Sequence, residues 1–403
     1  MKKPWLTIVG LGEDGVAGLT EPARTAIREA ELVVGGTRHL SLADPLIARE
    51  RMAWPHPIEA GFPTIIARRF HPVAVLATGD PYWFGIGSML ARHISVVETR
   101  CLPGASAFSL ACARLGWAMQ DCATISFCGR PLTPLAPLLQ PGARILALSA
   151  DAATPREVAA YLRERGFGAS RFHVLEALGG PRERVHVVAA AAFALAELQP
   201  LNLLAIEVVA EHDSAVIPLA TGLADALFDH DGQLTKREVR AVTLSALAPR
   251  RGELLWDIGC GSGSVGIEWL LRHPANRAIA VDERPDRARR ARNNAQSLGV
   301  PQLRLVEARA PEALADLEAP DAVFFGGGAR EPDVIDAAWS ALRPDGRMVA
   351  NAVTVETEAA LIAARARLGG TLTRISIERL DNVGALHGYR PAMTVTQWLA
   401  VKS

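Results

Sequence analysis

Two glycine-rich segments of unlike design sit far apart in this 403-residue chain. Gly10-Leu11-Gly12-Glu13-Asp14-Gly15 follows an apolar run and is backed downstream by Gly79-Asp80-Pro81. Trp256-Asp257-Ile258-Gly259-Cys260-Gly261-Ser262-Gly263-Ser264-Val265-Gly266 follows another apolar run and leads into a helical pattern. A glycine loop between strand and helix lets backbone N–H groups and a helix N-terminus approach a polar cofactor. Asp257 stands on the strand just before the first glycine, where it can hold an ammonium group but would repel a pyrophosphate. Asp282 ends the next apolar run, placed to accept hydrogen bonds from ribose hydroxyls. Gly261, Gly263 and Gly266 also spell the spacing of a nicotinamide site, so a reductase with a non-catalytic first half is a rival reading. Asp257, the extra Gly259 and a closing pair of strands weigh against it.

Loops of this kind need alternating strands and helices to hold them. Apolar runs at 5–9, 31–34, 73–78, 95–99, 125–128, 144–149 and 203–209 predict strands, with helices over 21–30 (Thr20 as N-cap, Pro22 in the first turn) and 155–165. The pattern weakens over 211–232, which separates a domain at 1–210 from one at 233–403. The second domain reads as a helix over 236–247, strands at 254–258, 279–282, 303–307, 322–325 and 347–350, and helices at 285–298, 334–342 and 355–367. Two closing strands, 372–380 and 393–401, with a loop at 381–391 between them, would pair antiparallel or be joined by an extended crossover. The alternation predicts α/β layers on largely parallel sheets.

Composition bounds the partners. The chain is 49% hydrophobic and 21% charged, with 43 basic and 43 acidic residues. No basic run tracks a phosphate backbone, which argues against nucleic acid. No stretch reaches the roughly 20 apolar residues of a membrane span. Lys2 and Lys3 precede an apolar run too short for a signal peptide. Cys101, Cys112, Cys122, Cys128 and Cys260 lack CxxC spacing and read as reduced core thiols of a cytoplasmic protein. His39, His56 and His71 have no ligand-like spacing, and no metal is expected.

The second loop, with Asp257 and Asp282, resembles motif I and the acidic post-strand residue of class I S-adenosylmethionine (SAM) methyltransferases. Gln233–Arg240, Ala310-Pro311-Glu312-Ala313-Leu314, Phe325-Gly326-Gly327-Gly328 and Asn351-Ala352-Val353-Thr354 make the likeness narrower. They resemble the C-15-methylating, decarboxylating precorrin methyltransferases of cobalamin biosynthesis. The resemblance implies a Rossmann-like fold holding SAM at Asp257, Gly259, Gly261, Gly263 and Asp282. Glu307-Ala308-Arg309-Ala310 departs from the acid many relatives carry there, which leaves a backbone group of Ala310 for the adenine. The first loop, with Gly79-Asp80-Pro81 and Pro103-Gly104-Ala105-Ser106, resembles the class III tetrapyrrole methyltransferases. That family implies a two-lobed α/β fold with SAM in the cleft, near Gly10, Gly79, Asp80, Pro81, Gly104 and Ser106. Glu13 replaces the proline found in many relatives.

Together the resemblances imply SAM-dependent C-methylation of a precorrin at C-5 by the first half and at C-15, with loss of the ring C acetate, by the second. A fusion whose second half methylates RNA or protein is the same-class rival. Such a substrate is an apolar ring with many carboxylates, which arginines bind by paired hydrogen bonds. Arg237, Arg240, Arg330, His387 and Arg390 are candidates. Lys236 is one of only four lysines and the one far from both ends; it is either a substrate contact or a solvated helix-start residue. Thr235 and Glu238 have the spacing of a capping box. Lys236, His387 and Arg390 are the expected catalytic positions. The resembled families form dimers and tetramers, which implies a homo-oligomer.

Overall fold

A computed structural model describes residues 4–403. Lys2 and Lys3 lie outside the described residues. The chain forms two compact units, one reaching to Leu132 and including Gln140–Ala215, the other comprising Thr133–Leu139 and Val216–Ser403. The segment 211–232 is therefore divided between them.

The first unit has two sheets. Strands β1 (Leu6–Leu11), β2 (Leu32–Gly35), β3 (Glu50–Ala53), β4 (Val73–Thr78) and β5 (Thr99–Leu102) form a parallel sheet in the order β3-β2-β4-β1-β5. Every residue of β1 except Thr7 is buried, as expected of a strand covered on both faces. One face packs on Val33, Ala74 and the helix residues Ala23 and Ile27, the other on Phe62, Ile65 and Leu90. The second sheet holds β6 (Cys122–Ser126), β7 (Arg144–Leu148), β8 (Arg171–Glu176), β9 (Arg184–Ala189) and β10 (Asn202–Glu207), ordered β6-β7-β10-β8-β9.

Only β6 and β7 run parallel there. The expectation of largely parallel sheets is corrected for this lobe. The cause is the β8–β9 pair, which the sequence reading passed over: β9 buries none of its residues and so lacks a fully apolar run. The strand expected at 95–99 is also displaced, with a short 3-10 turn at Val96–Glu98 before β5.

The second unit carries a seven-stranded sheet ordered β13-β12-β11-β14-β15-β19-β16. It consists of β11 (Leu254–Ile258), β12 (Arg277–Val281), β13 (Arg304–Val306), β14 (Ala322–Phe325), β15 (Arg347–Ala352), β16 (Thr371–Ile375) and β19 (Val395–Val401). The first five strands are parallel; β19 inserts antiparallel between β15 and β16. The order reverses between β12 and β14 on either side of β11, the topological switch point at which open α/β sheets bind ligands. The expected loop 381–391 is corrected: it belongs to a separate hairpin of β17 (Glu378–Val383) and β18 (Leu386–Pro391), registered Asp381 to Gly388.

One buried ion pair ties the first helix of this unit to the helix Ser264–Arg272 that follows β11. Arg240, fully buried on the helix Arg237–Leu247, donates Nε to Glu268 Oε1 at 2.6 Å and also bonds the carbonyls of Thr235 and Leu223. Glu268 in turn accepts from the Gly222 and Leu223 amides at 2.7 and 2.9 Å. Arg240 is thus a structural residue, and its candidacy for substrate binding is withdrawn. The Arg240→Ala variant strands the Glu268 carboxylate without its cation. Thermal or urea unfolding should show a loss of roughly 3–5 kcal/mol from this unit; a change under about 1 kcal/mol contradicts the assignment.

Candidate active sites

The loop after β11 is shaped by what its backbone touches. Gly259 has φ +67°, and a Cβ there would lie 2.7 Å from the Gly327 nitrogen. The Gly259 and Gly326 amides bond the carbonyls of Val281 and Ile258 at 2.8 and 2.9 Å, which locks the ends of β11, β12 and β14 together. Gly263, at φ +75°, packs on Ala291 instead and starts the helix Ser264–Arg272. Asp282 accepts from the Gly261 amide at 2.9 Å and the Arg284 amide at 3.0 Å, so its carboxylate is held rigidly at the loop.

These residues border a cavity of about 960 Å³, at the upper end of the range for small-molecule sites. Gly259, Gly261, Asp282, Ala310, Lys236 and Arg330 line it; Asp257 and Gly263 stand behind the lining. The side facing β11 and β12 is backbone and carboxylate. Much of the remainder is apolar, with Val239, Phe324, Val353, Ile377, Met393 and Val395 beside polar residues such as Asn351 and Thr354. Cations rim it. Arg284, Arg287, Arg309 and Arg379 pair with Asp286, Asp231, Glu331 and Glu238 respectively. Arg330 alone of these cavity arginines has no ion pair or side-chain hydrogen bond among the described residues. Lys236 is half-exposed, 3.9 Å from Asp225.

The capping box at Thr235 and Glu238 is not formed. The helix starts at Arg237 with Lys236 at its cap and no side-chain cap bond, because Glu238 pairs with Arg379 at 2.5 Å. Arg237 bonds the Gly222 carbonyl at 3.0 Å. His387 and Arg390 sit on β18 outside the cavity lining, with Arg390 on Asp381 at 3.1 Å. Arg379 and Asn351 are among the polar lining residues that the sequence reading did not single out, with Glu283, Arg284, Arg287 and Glu331. Arg379 was hidden by its placement in an expected strand, and Asn351 by its appearance only within a family motif.

Asp257 is fully buried. Its Oδ2 accepts from the Gly266 amide at 2.9 Å, and its Oδ1 has no partner. An orphaned carboxylate oxygen and the rigid Asp282 fit a cofactor with one cationic and one hydroxyl-bearing end.

In the first unit three strand ends meet through backbone alone. The Gly104 amide bonds the Gly79 carbonyl at 3.0 Å, and a Cβ on Gly10 would collide with both groups. Gly79 has φ +55° and lies against Ala105 and Ser106. Asp80 accepts from the Tyr82 amide at 2.9 Å, and Ser106 caps the helix Ala107–Leu115 through the Ser109 amide at 3.0 Å. A cavity of about 350 Å³ opens here, lined by Gly12, Gly79, Asp80 and Ser106 but not by Gly10, Pro81 or Gly104. Its polar wall holds Glu13, Arg38 and His39. Glu13, almost wholly buried, pairs with Arg38 and lies 3.6 Å from Arg182. Burial, and then the Arg38 guanidinium, push His39 down to about 4. Gly12 and Gly79 line this cavity beside strand ends too close to admit a Cβ at Gly10, which fits a cofactor lying partly on bare backbone.

Known proteins supply the family. The family described as tetrapyrrole (corrin/porphyrin) methylases matches residues 5–194, and that described as precorrin methyltransferase domain matches 226–402. A Sinorhizobium precorrin-6Y C(5,15)-methyltransferase (decarboxylating) is 55% identical over 395 residues, 98% of this chain and 96% of its own. This chain belongs to the precorrin-6Y C(5,15)-methyltransferase (decarboxylating) family. Shorter relatives match parts of it. A Salmonella typhimurium cobalt-precorrin-7 C(5)-methyltransferase is 37% identical over 45% of this chain and 89% of its own. A Pyrobaculum calidifontis protein named "Probable cobalt-precorrin-6B C(15)-methyltransferase (decarboxylating)" is 42% identical over 38% of this chain and 80% of its own. Membership of the precorrin-6Y C(5,15)-methyltransferase family covers both units, since the Sinorhizobium likeness runs nearly end to end.

Burial raises the Asp257 carboxyl from 3.8 to about 7, against the pull of the Gly266 amide and with help from Asp282. The folded chain keeps a proton there that the unfolded chain has released above about pH 4. This residue's contribution to stability is therefore full at low pH and lost as pH rises toward about 7. In ligand-free chain, Asp257→Asn should gain melting temperature relative to the unaltered protein as pH climbs from about 4 to about 7, with a constant difference above. A difference independent of pH contradicts the buried titration.

Proposed function

We propose that this chain methylates one reduced tetrapyrrole twice, using SAM in both units. The first unit acts at C-5. The second acts at C-15 and releases the ring C acetate as carbon dioxide. The observation that carries the reading is the second unit's cavity, with a loop side for a cofactor and an apolar side rimmed by cations. An apolar ring bearing carboxylates has that complementarity, with Arg330 and Lys236 available for its acid groups. Bound SAM would supply an electrophilic methyl group on a sulfonium. The loop after β11 and Asp282 orient it, and the apolar wall excludes water from the carbon that attacks. Alignment of that kind is worth roughly 7–11 kcal/mol in favourable systems, so methyl transfer needs no acid–base triad.

We place the protein in the cytoplasm as a homo-oligomer with a small-molecule substrate, and with neither nucleic acid nor membrane as partner. In support, the charge is balanced, and no helix among the described residues is long and apolar enough to cross a membrane.

Incubation of the intact chain with SAM and a reduced precorrin should yield a product with two added methyl groups and one lost carbon dioxide by mass spectrometry. A product carrying one methyl group, or none, rejects the two-site reading. Asp282→Ala should weaken SAM binding to the second unit by about 10-fold or more through lost ribose hydrogen bonds, roughly 1.5 kcal/mol or above. Unchanged affinity in calorimetry removes Asp282 from the cofactor site.

A further inference from the structure

Asn351 stands at the carboxyl end of β15, two strand positions from β11 and so roughly 10 Å along the sheet from the glycine loop. Its carboxamide is fixed by a buried network. Thr243 Oγ1 gives its only proton to the Val239 carbonyl at 2.8 Å, so towards its other neighbours it accepts. Asn351 Nδ2 donates to that oxygen at 2.8 Å, and Gln397 Nε2 donates to Asn351 Oδ1 at 2.9 Å and to Thr243 at 3.2 Å. Thr243 and Gln397 are both buried. The amide therefore cannot flip, and its second Nδ2 hydrogen has no partner among the described residues. Asn351 lines the cavity, where β14, β19 and the helix Arg237–Leu247 around it contribute the apolar side chains of Phe324, Val395 and Val239, and Val353 and Thr354 follow it in the chain.

We infer that Asn351 is a catalytic residue of the second unit, whose free N–H holds the acetate carboxylate that is lost. The inference rests on the proposed decarboxylation. In that step the bond between the methylene carbon and the carboxylate breaks, and its electron pair passes into the conjugated macrocycle. Carbon dioxide departs, and the methylene carbon takes a proton from solvent to become a methyl group. Negative charge leaves the carboxylate as the bond breaks. A cation there would stabilise the starting state more than the transition state and slow the reaction. An uncharged amide N–H holds a carboxylate less tightly than a guanidinium fork does, yet it orients the group. The apolar surroundings disfavour the charged starting state. The retained carboxylates fall to the cations at the rim.

The test uses the full-length chain, a reduced precorrin labelled at the acetate carboxyl, and the Asn351→Ala and Asn351→Asp variants. Carbon dioxide release and SAM affinity by calorimetry are measured for each. Both variants should lose roughly 10²-fold in release near neutral pH with SAM affinity within about twofold of the unaltered chain. The Asp variant should recover relative to the Ala variant as pH falls, because its protonated carboxyl donates where its carboxylate repels. Three results overturn the inference: release within threefold of the unaltered chain, a matching loss of SAM affinity, or an Asp-to-Ala ratio flat with pH. If the unaltered chain releases no carbon dioxide, the functional reading itself fails and takes this residue's role with it.

Discussion

At the carboxyl ends of the parallel strands in both units, backbone lies directly on backbone. Gly10, Gly79 and Gly104 meet where β1, β4 and β5 end, and Gly259 meets Gly326 and Gly327 where β11 and β14 end. No side chain intervenes, so each cavity begins against bare peptide groups. A single added methyl group at Gly10 or Gly259 would force those strand ends apart. Beyond this contact the loop starts the helix at Ser264–Arg272, and the amides of Gly261 and Gly266 hold Asp282 and Asp257.

The two units solve the polar problem differently. In the second, the carboxylate that matters is held by amides, and the cations stand away from it at the rim. In the first, Glu13 and Arg38 form an ion pair inside the cavity wall itself, with His39 kept neutral beside the guanidinium. A carboxylate in place of a proline thus costs the loop nothing in charge balance.

The fold was legible where a single face or a run of apolar residues carried the signal. β1, β4, β11 and β14 are buried nearly end to end, and the glycines with Asp257 and Asp282 marked the second site almost unaided. β8, β9 and the β17–β18 hairpin were not legible. β17 exposes every residue and β9 buries none, so no buried apolar run betrays them. The capping box failed because a tertiary partner, Arg379, took the glutamate that the local pattern required. Arg240 shows the same limit: a basic residue near a substrate motif looks functional until its buried partner on another helix is seen. The roles of Thr243 and Gln397 arise from residues 154 apart in sequence, a separation that no local pattern spans.

The near-absence of lysine has an effect on the second cavity. Its rim is built almost wholly of guanidinium groups, which keep their charge at any pH the protein can survive. The rim arginines' share of the potential felt by an arriving polycarboxylate is therefore constant across the working range and altered chiefly by ionic strength, through screening. At that cavity an acid or base limb in turnover traces to the interior carboxyl beside the glycine loop or to the tetrapyrrole itself.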